Sequence, residues 1–420
     1  MKKALLIFLT LAILPISLGY KIGDINHDDS IDISDVVYLF KHRNVPLEEG
    51  DVNCDNSVDI ADVVYLFRNY DKFREPVVFA KNFQLEPHWD EGYCIAIDSK
   101  GNKFVLLKEG AKNPNIPDAK TLTVPVKRMV AVHICPIGST AIILNDSICY
   151  ETIKGVTSYV LRYSPEFQKM CEEGKCVNVG SASNIDYDKV VNISPQIVFL
   201  AEWSSHDAME AKLKELGITV ARCFAYKEPT YMGRVEWIKF AATFWGDKEY
   251  NKAENYFQKV WKKRNELLRT TIKAKYYPKV INFWKSNDNS LPYIPKAQNY
   301  YAKIINNFRG EYVFNDVPGT GNQKIDSETL MERAVNADVV ILRQRDYNIK
   351  TKEDLLKAYP TSGFENFKAF KNGRFYVSKP DYYRGELIDP IGTMEDYAKM
   401  IHPELFPNGD NDLKYFVKLQ

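Results

Sequence analysis

Hydrophobic positions change period several times along the chain, and the longest helical stretch organises the rest. From Asp247 to Ala274, "DKEYNKAENYFQKVWKKRNELLRTTIKA" sets Tyr250, Ala253, Tyr256, Phe257, Val260, Trp261, Leu267, Leu268 and Ile272 at helical spacing with charge elsewhere. This predicts one amphipathic helix about 42 Å long, more than a strand–helix–strand crossover requires. Gly246-Asp247 starts it and Tyr277-Pro278 lies just past its end. On either side, short apolar runs alternate with helical patterns. "CIAIDSKGNKFVLL" reads as a hairpin, and "RMVAVHICPIGSTAIIL" and "QIVFLAEWSSHDAMEAKLKELGITVARC" each read as strand, loop and helix. The alternation resumes after the rod with "KVINFWKS", "ADVVILRQRD" and "RFYVSK". The pattern predicts an α/β chain of mainly parallel sheets with helices on their faces. Its two three-layer lobes, 93–246 and 275–420, are joined by the helix 247–274. Residues 71–92, with Pro76 and Pro87, read as a linker and edge segment.

The N-terminal part has a different pattern. Lys2-Lys3, the apolar run Ala4 to Leu14 and the small residues near Gly19 read as an export signal over 1–19. The run is too short to span a bilayer comfortably. No cysteine follows it before Cys54, so lipid attachment of the bacterial lipoprotein kind is not expected. An acidic phrase is then written twice, "GDINHDDSIDISDVVYLF" from residue 23 and "GDVNCDNSVDIADVVYLF" 27 residues later. A twelve-residue calcium loop places oxygen ligands at positions 1, 3, 5, 9 and 12 and a backbone carbonyl at 7, because a hard cation takes six to eight oxygens. The first copy supplies Asp24, Asn26, Asp28, Ser30, Asp32 and Asp35; the second supplies Asp51, Asn53, Asp55, Ser57, Asp59 and Asp62. Position 6 holds Asp29 and Asn56 where glycine is common. The expectation is two calcium ions in a small α module over 20–70, much of whose folding free energy comes from the metal.

Composition adds limits. Fifty-six basic against 55 acidic side chains leave a net charge of +1, which gives no global pull toward nucleic acid. Seven cysteines include Cys171 and Cys176 around "EEGK", the best candidates for a disulfide. There is no zinc-type Cys/His spacing, nucleophile elbow, P-loop or HExxH helix.

The doubled phrase resembles a dockerin, a duplicated calcium-loop module that docks onto a cohesin domain. The match covers residues 23 to 70. Dockerins usually end their chains, and the positions that often carry Ser-Thr read Ile33-Ser34 and Ile60-Ala61 here. From about residue 93 to 410 the chain resembles the helical-backbone class of ABC-transporter substrate-binding proteins. The phrases that carry the likeness come in order: "DSKGNKFVL", "VPVKRMVAV", "NVGSASNIDYDKVVNISPQIVFL", "LGITV", the long helix, "PKVINFW", "DSETLMERAVNADVVIL", "FKAFKNGRFYVS" and "IHPELF". The resemblance implies a secreted or periplasmic monomer that captures a metal chelate between two lobes. Ferric siderophore is the first reading; haem or cobalamin is the alternative. The chain would then deliver the chelate to a membrane permease. A surface adhesion or scaffold protein and a dockerin-borne carbohydrate-active enzyme are readings from other classes.

In open α/β sheets ligands lie at the carboxyl ends of strands. That rule selects His133, Ser139, Trp203, Ser204, His206 and Tyr226 from the first lobe. From the second it selects Trp284, Lys285, Arg343, Arg345, Tyr383 and Arg384. Aromatic rings and guanidinium forks suit an anionic, aryl-rich chelate. Arg343 and Arg345 have Asp346 and Glu353 nearby as alternative surface partners, and Arg384 has Asp381 and Glu386. By position in the resemblance, Asp188 and Glu328 are the residues that would meet permease arginines.

Overall fold

The computed structural model describes residues 21–420 apart from Asp29 and Asn56. The leader over 1–19 and both sixth loop positions therefore lie outside the described residues.

One unbroken helix, Asp247–Thr271, runs between two α/β units; its 25 residues span about 37 Å. Gly246 opens it at φ 112°, a left-handed value that suits glycine. The expected apolar stripe is buried at Tyr250, Ala253, Phe257, Val260, Trp261 and Leu267. Helix Tyr231–Thr243 packs along it and is buried almost all round.

The first lobe contains a wholly parallel five-stranded sheet, ordered Val220–Cys223, Ile197–Ala201, Met129–Ala131, Ile153–Val156, Val177–Asn178. All of Ile197–Ala201 is buried, as expected of a strand covered on both faces. A second sheet of four strands begins at Gln84–His88 and includes the hairpin Tyr93–Ile97/Lys103–Lys108. The second lobe is built on parallel strands Lys279–Trp284, Val339–Arg343 and Phe375–Ser378, with antiparallel strands toward both edges.

The segment read as a linker is firmly held. Helix Ile60–Arg74 of the acidic repeat runs into it. The buried carboxylate of Glu236 then accepts from the backbone N–H groups of Val78, Phe79 and Ala80 at 2.7, 2.7 and 2.8 Å. Buried Glu228 accepts from Lys81 N at 2.8 Å, Asn82 N at 3.1 Å and Trp237 Nε1 at 2.9 Å. Two carboxylates thus satisfy a stretch of backbone that has no strand partner.

The expected Cys171–Cys176 disulfide is absent, and both residues are free thiols. Backbone bonds close that turn instead, Gly174 N to Cys171 O at 3.1 Å and Lys175 N to Met170 O at 2.9 Å.

Candidate functional site

The two acidic loops fold alike. In each, the twelfth-position aspartate is buried under the loop and gathers its backbone. Asp35 accepts from Ile25 N at 2.6 Å and Asp32 N at 2.8 Å; Asp62 accepts from Asn53 N at 3.2 Å and Asp59 N at 2.9 Å. Asp32 and Asp59 also cap the following helices, Ile33–Lys41 and Ile60–Arg74, in reciprocal capping boxes. Position-5 backbone N–H groups reach the first aspartates, Asp28 N to Asp24 at 3.1 Å and Asp55 N to Asp51 at 2.9 Å. Ser30 and Ser57 donate backbone N–H to Asp28 and Asp55 at 2.9 and 3.0 Å. Asn26 and Asn53 turn their amides onto the same aspartates. Oxygens of Asp51, Asp55 and Asp62 lie within 4.8 Å of one another. Burial raises the Asp62 pKa, and the neighbouring Asp51 and Asp55 charges add to the rise. Three converging carboxylates, Asp51 and Asp62 buried and Asp55 exposed, are the kind of oxygen donor set that a hard divalent cation takes, so the second loop fits calcium.

The second loop has a feature that the sequence did not reveal. Arg269, near the end of the long helix, donates Nε to Asp51 Oδ2 at 2.7 Å and Nη2 to Asp51 O at 3.0 Å, with both side chains buried. Phe73 meets Trp261 at 5.5 Å. The module is therefore docked on the helix that separates the lobes.

At the facing rims of the lobes, aromatic rings meet arginines. On the first rim His133 lies 5.2 Å from Trp203 and 4.6 Å from Tyr159, which in turn lies 5.2 Å from Tyr163. On the second rim the Arg345 guanidinium stands 5.5 Å from the ring centroids of both Trp284 and Tyr383, and its Nη1 crosses to the Tyr163 hydroxyl at 3.1 Å. Arg343 is 4% exposed, bonds Asn282 Oδ1 through Nε at 2.8 Å and covers the Tyr301 ring at 3.7 Å. Neither arginine pairs with Asp346 or Glu353. Arg343 Nη2, Arg345 Nε and the Tyr383 hydroxyl are buried without a protein partner among the described residues. Arg384 bonds Glu166 of the opposite lobe, not Asp381 or Glu386. Behind this rim, Arg234 bonds Glu386, whose carboxylate also accepts from Tyr301 at 2.7 and 2.8 Å and from Tyr300 at 3.1 Å.

Burial pushes the His133 pKa down to about 3, with the Arg234 charge acting in the same direction, and Cys135 N donates to its Nδ1 at 3.2 Å. The ring is neutral at physiological pH.

Other selected residues do different work. His206 is fully buried, and its Nδ1 and Nε2 lie 2.9 and 2.7 Å from the Ala201 and Ala182 carbonyl oxygens, so it clamps two loops. Lys285 is buried and ties its own loop together through the Asp288 carbonyl at 2.7 Å and that of Ser290. Ser139 is buried with Oγ on Pro136 O at 3.0 Å, beside an interlobe cavity of about 20 Å³. Ser204 is exposed on the first turn of helix Ser204–Glu215, and Tyr226 is bound to the Glu202 carbonyl. Tyr383 reaches the interface while its neighbour Tyr382 is buried in the second lobe's core, the two pointing differently from one helix, Tyr382–Ile388. Asp188 and Glu328 are exposed and occupy equivalent places, each second in a helix capped by an aspartate, Asp186 or Asp326.

A family model described as periplasmic binding protein matches residues 154–382, more than half of the chain. The chain belongs to the periplasmic binding protein family. An uncharacterized lipoprotein of Methanocaldococcus jannaschii is 52% identical to it over 345 residues, covering 82% of this chain and 87% of that protein. Among solved structures, the petrobactin-binding protein YclQ from Bacillus subtilis superposes with a TM-score of 0.53 at 12% identity, covering 73% of this chain and 98% of YclQ. A periplasmic heme binding protein from Pseudomonas aeruginosa gives 0.52 at 14% identity, with 70% and 98% covered. At these identities the likeness shows the fold.

In this periplasmic binding protein four residues at the contact between the lobes, Tyr159, Tyr163, Glu166 and Arg234, were not selected by the strand-end rule. Tyr159 and Tyr163 follow the four-residue strand Ile153–Val156. "TIKGV" is a faint β-branched run, and recognising it would have extended the rule to both tyrosines.

Proposed function

We propose that this periplasmic binding protein is the extracytoplasmic solute-binding component of an ABC importer, and that it takes an anionic metal chelate of the ferric siderophore type between its lobes. The observation that carries the reading is the pair Arg343 and Arg345: neither has a carboxylate partner among the described residues, Arg343 covering Tyr301 and Arg345 standing against Trp284 and Tyr383. Leaving a guanidinium without a counter-charge in a low-dielectric interface is costly, and a bound anion supplies that charge through paired hydrogen bonds. Opposite them, the His133, Tyr159 and Trp203 rings offer an aromatic wall. The cavity of about 20 Å³ beside Ser139 is too small for a chelate, so binding begins with separation of the lobes along the rigid helix, a small hinge motion.

The match to the periplasmic binding protein family supports capture over catalysis. Family membership and the lipoprotein relative favour a place outside the cytoplasmic membrane. Among the described residues no helix is long and apolar enough to cross a membrane. Asp188 and Glu328 present one acid per lobe to the permease. Calcium in the two acidic loops would order the N-terminal module through Asp24, Asn26, Asp28, Ser30, Asp32, Asp35 and their counterparts in the repeat. Apolar side chains of its duplicated helices, Val37, Tyr38 and Phe40 in one copy and Val64 and Phe67 in the other, are exposed and suit a cohesin-like partner.

Tryptophan quenching against ferric catecholate, ferric hydroxamate, haem and cobalamin tests the ligand. A ferric chelate is expected to bind, and Arg345→Gln to weaken it about 10–100-fold, the loss of one charged hydrogen bond. Quenching by cobalamin or haem alone would move the reading to a corrin or porphyrin; binding indifferent to Arg345→Gln would remove the anionic argument.

A further inference from the structure

A second cavity, of about 250 Å³, lies between the later turns of the long helix, at Trp261, Arg264, Asn265 and Leu268, and the acidic-repeat module. Its volume equals that of roughly eight liquid waters. One wall is aromatic: Trp261 meets Phe79 edge to face at 5.1 Å and Phe73 at 5.5 Å, and Tyr65 continues the surface 6.4 Å beyond Phe73. The opposite chemistry is cationic. Arg264 and Lys72 both line the space, and no carboxylate does. Arg264 is half-buried; its Nη1 bonds only the Asn265 amide oxygen at 3.0 Å, and no ion pair holds it among the described residues. The Cys54 thiol and the Tyr65 hydroxyl line the same space. At the edge Lys72 Nζ donates to the Asn69 amide oxygen at 3.1 Å.

We propose that this junction is a second binding site, separate from the interlobe cleft, for a small aromatic carboxylate. The carboxylate would sit on Arg264 with Lys72 at the mouth, and the ring against Trp261 and Phe79. A concave site with apolar walls and a few convergent polar groups is the ordinary form of a small-molecule pocket. An ionised acceptor on a partly desolvated guanidinium forms the stronger class of hydrogen bond. The site is half made by the module and half by the body, so an occupant would bridge the two. This inference uses none of the lobe-rim residues and does not depend on what the cleft carries.

The test uses the full chain with calcium in excess and 2-naphthoate as probe, with the isosteric neutral 2-naphthamide as comparison, read by isothermal titration calorimetry. Naphthoate is expected to bind saturably with one equivalent and at least tenfold more tightly than the amide. Arg264→Gln should abolish that preference, and Leu268→Trp, which fills the cavity from its lining, should abolish binding while leaving the circular dichroism spectrum unchanged. Arg345→Gln at the lobe rim should leave naphthoate binding as it was. Absence of saturable binding, equal affinity for the amide, survival of binding in both junction variants, or its loss in Arg345→Gln would each overturn the proposal.

Discussion

The strongest quantitative expectation concerns Arg234. It lies on the helix Tyr231–Thr243, which packs against the first lobe, and its partner Glu386 lies in the second. Both side chains are largely withdrawn from water, at 12% and 2% exposure. Arg234→Met keeps the aliphatic stem and removes the charge. Glu386 is then left with two phenol hydroxyls, from Tyr300 and Tyr301, and no cation. Breaking a buried pair from one side costs about 3–5 kcal/mol, because the survivor is a charge in a poor solvent. At about 2–4 °C per kcal/mol for lobes of this size, the melting transition should fall by roughly 6–20 °C in differential scanning calorimetry. Glu386→Gln should also destabilise, since it strands Arg234. The double variant should be less damaged than the two single losses added together, by at least about 1 kcal/mol, because it removes both charges at once. A single-variant cost below about 1 kcal/mol, or strictly additive losses, would refute the assignment of this pair as the inner lock between the lobes.

Arg269 holds one carboxylate oxygen of Asp51 and so places a positive charge beside the second acidic loop. Replacing it with glutamine should tighten calcium at that loop by at least about tenfold, the effect of a unit charge near a divalent ion even at the dielectric of water, while the first loop is unchanged. Calorimetric titration resolving two sites checks this, and two identical sites indifferent to the variant would contradict it. His133 has a pKa lowered to about 3, so unfolding releases a ring that gains a proton below its ordinary value near 6.5. Its stabilising contribution is complete above about 6.5 and is lost as pH falls from there toward 3. An imidazole titration by NMR with a midpoint above 5 would show the ring to be less sheltered than its surroundings imply. Asp188→Lys and Glu328→Lys should depress ligand uptake in a reconstituted importer with little change in ligand affinity, and equal uptake by both variants would exclude them from permease contact.

Much of this architecture could be read from periodicity. The long helix shows itself because nine apolar positions keep the 3.6 spacing over about seven turns, and the central strands because apolar runs such as "VVIL" have no polar interruption. The twin loops are legible because the ligand spacing is local. Residue roles at the strand ends were less so. His206 and Lys285 follow strands as the rule requires, yet each turns inward to satisfy backbone carbonyls, a choice made by loop geometry that no one-dimensional pattern records. The docking of the module was invisible for a different reason. It depends on Glu228, Glu236 and Arg269 meeting partners about 150 to 220 positions away, and nothing in the local sequence marks a buried carboxylate as a backbone clamp.

The contacts across the lobes are unequal in their exposure, and that inequality has a consequence for how the molecule meets its surroundings. Arg384 and Glu166 are 26% and 33% exposed, open enough for dissolved ions to weaken their attraction, whereas Arg234 and Glu386 lie beyond the reach of such screening. Rising salinity would therefore loosen the mouth before the root, so that ligand entry quickens in brine while the two halves stay registered.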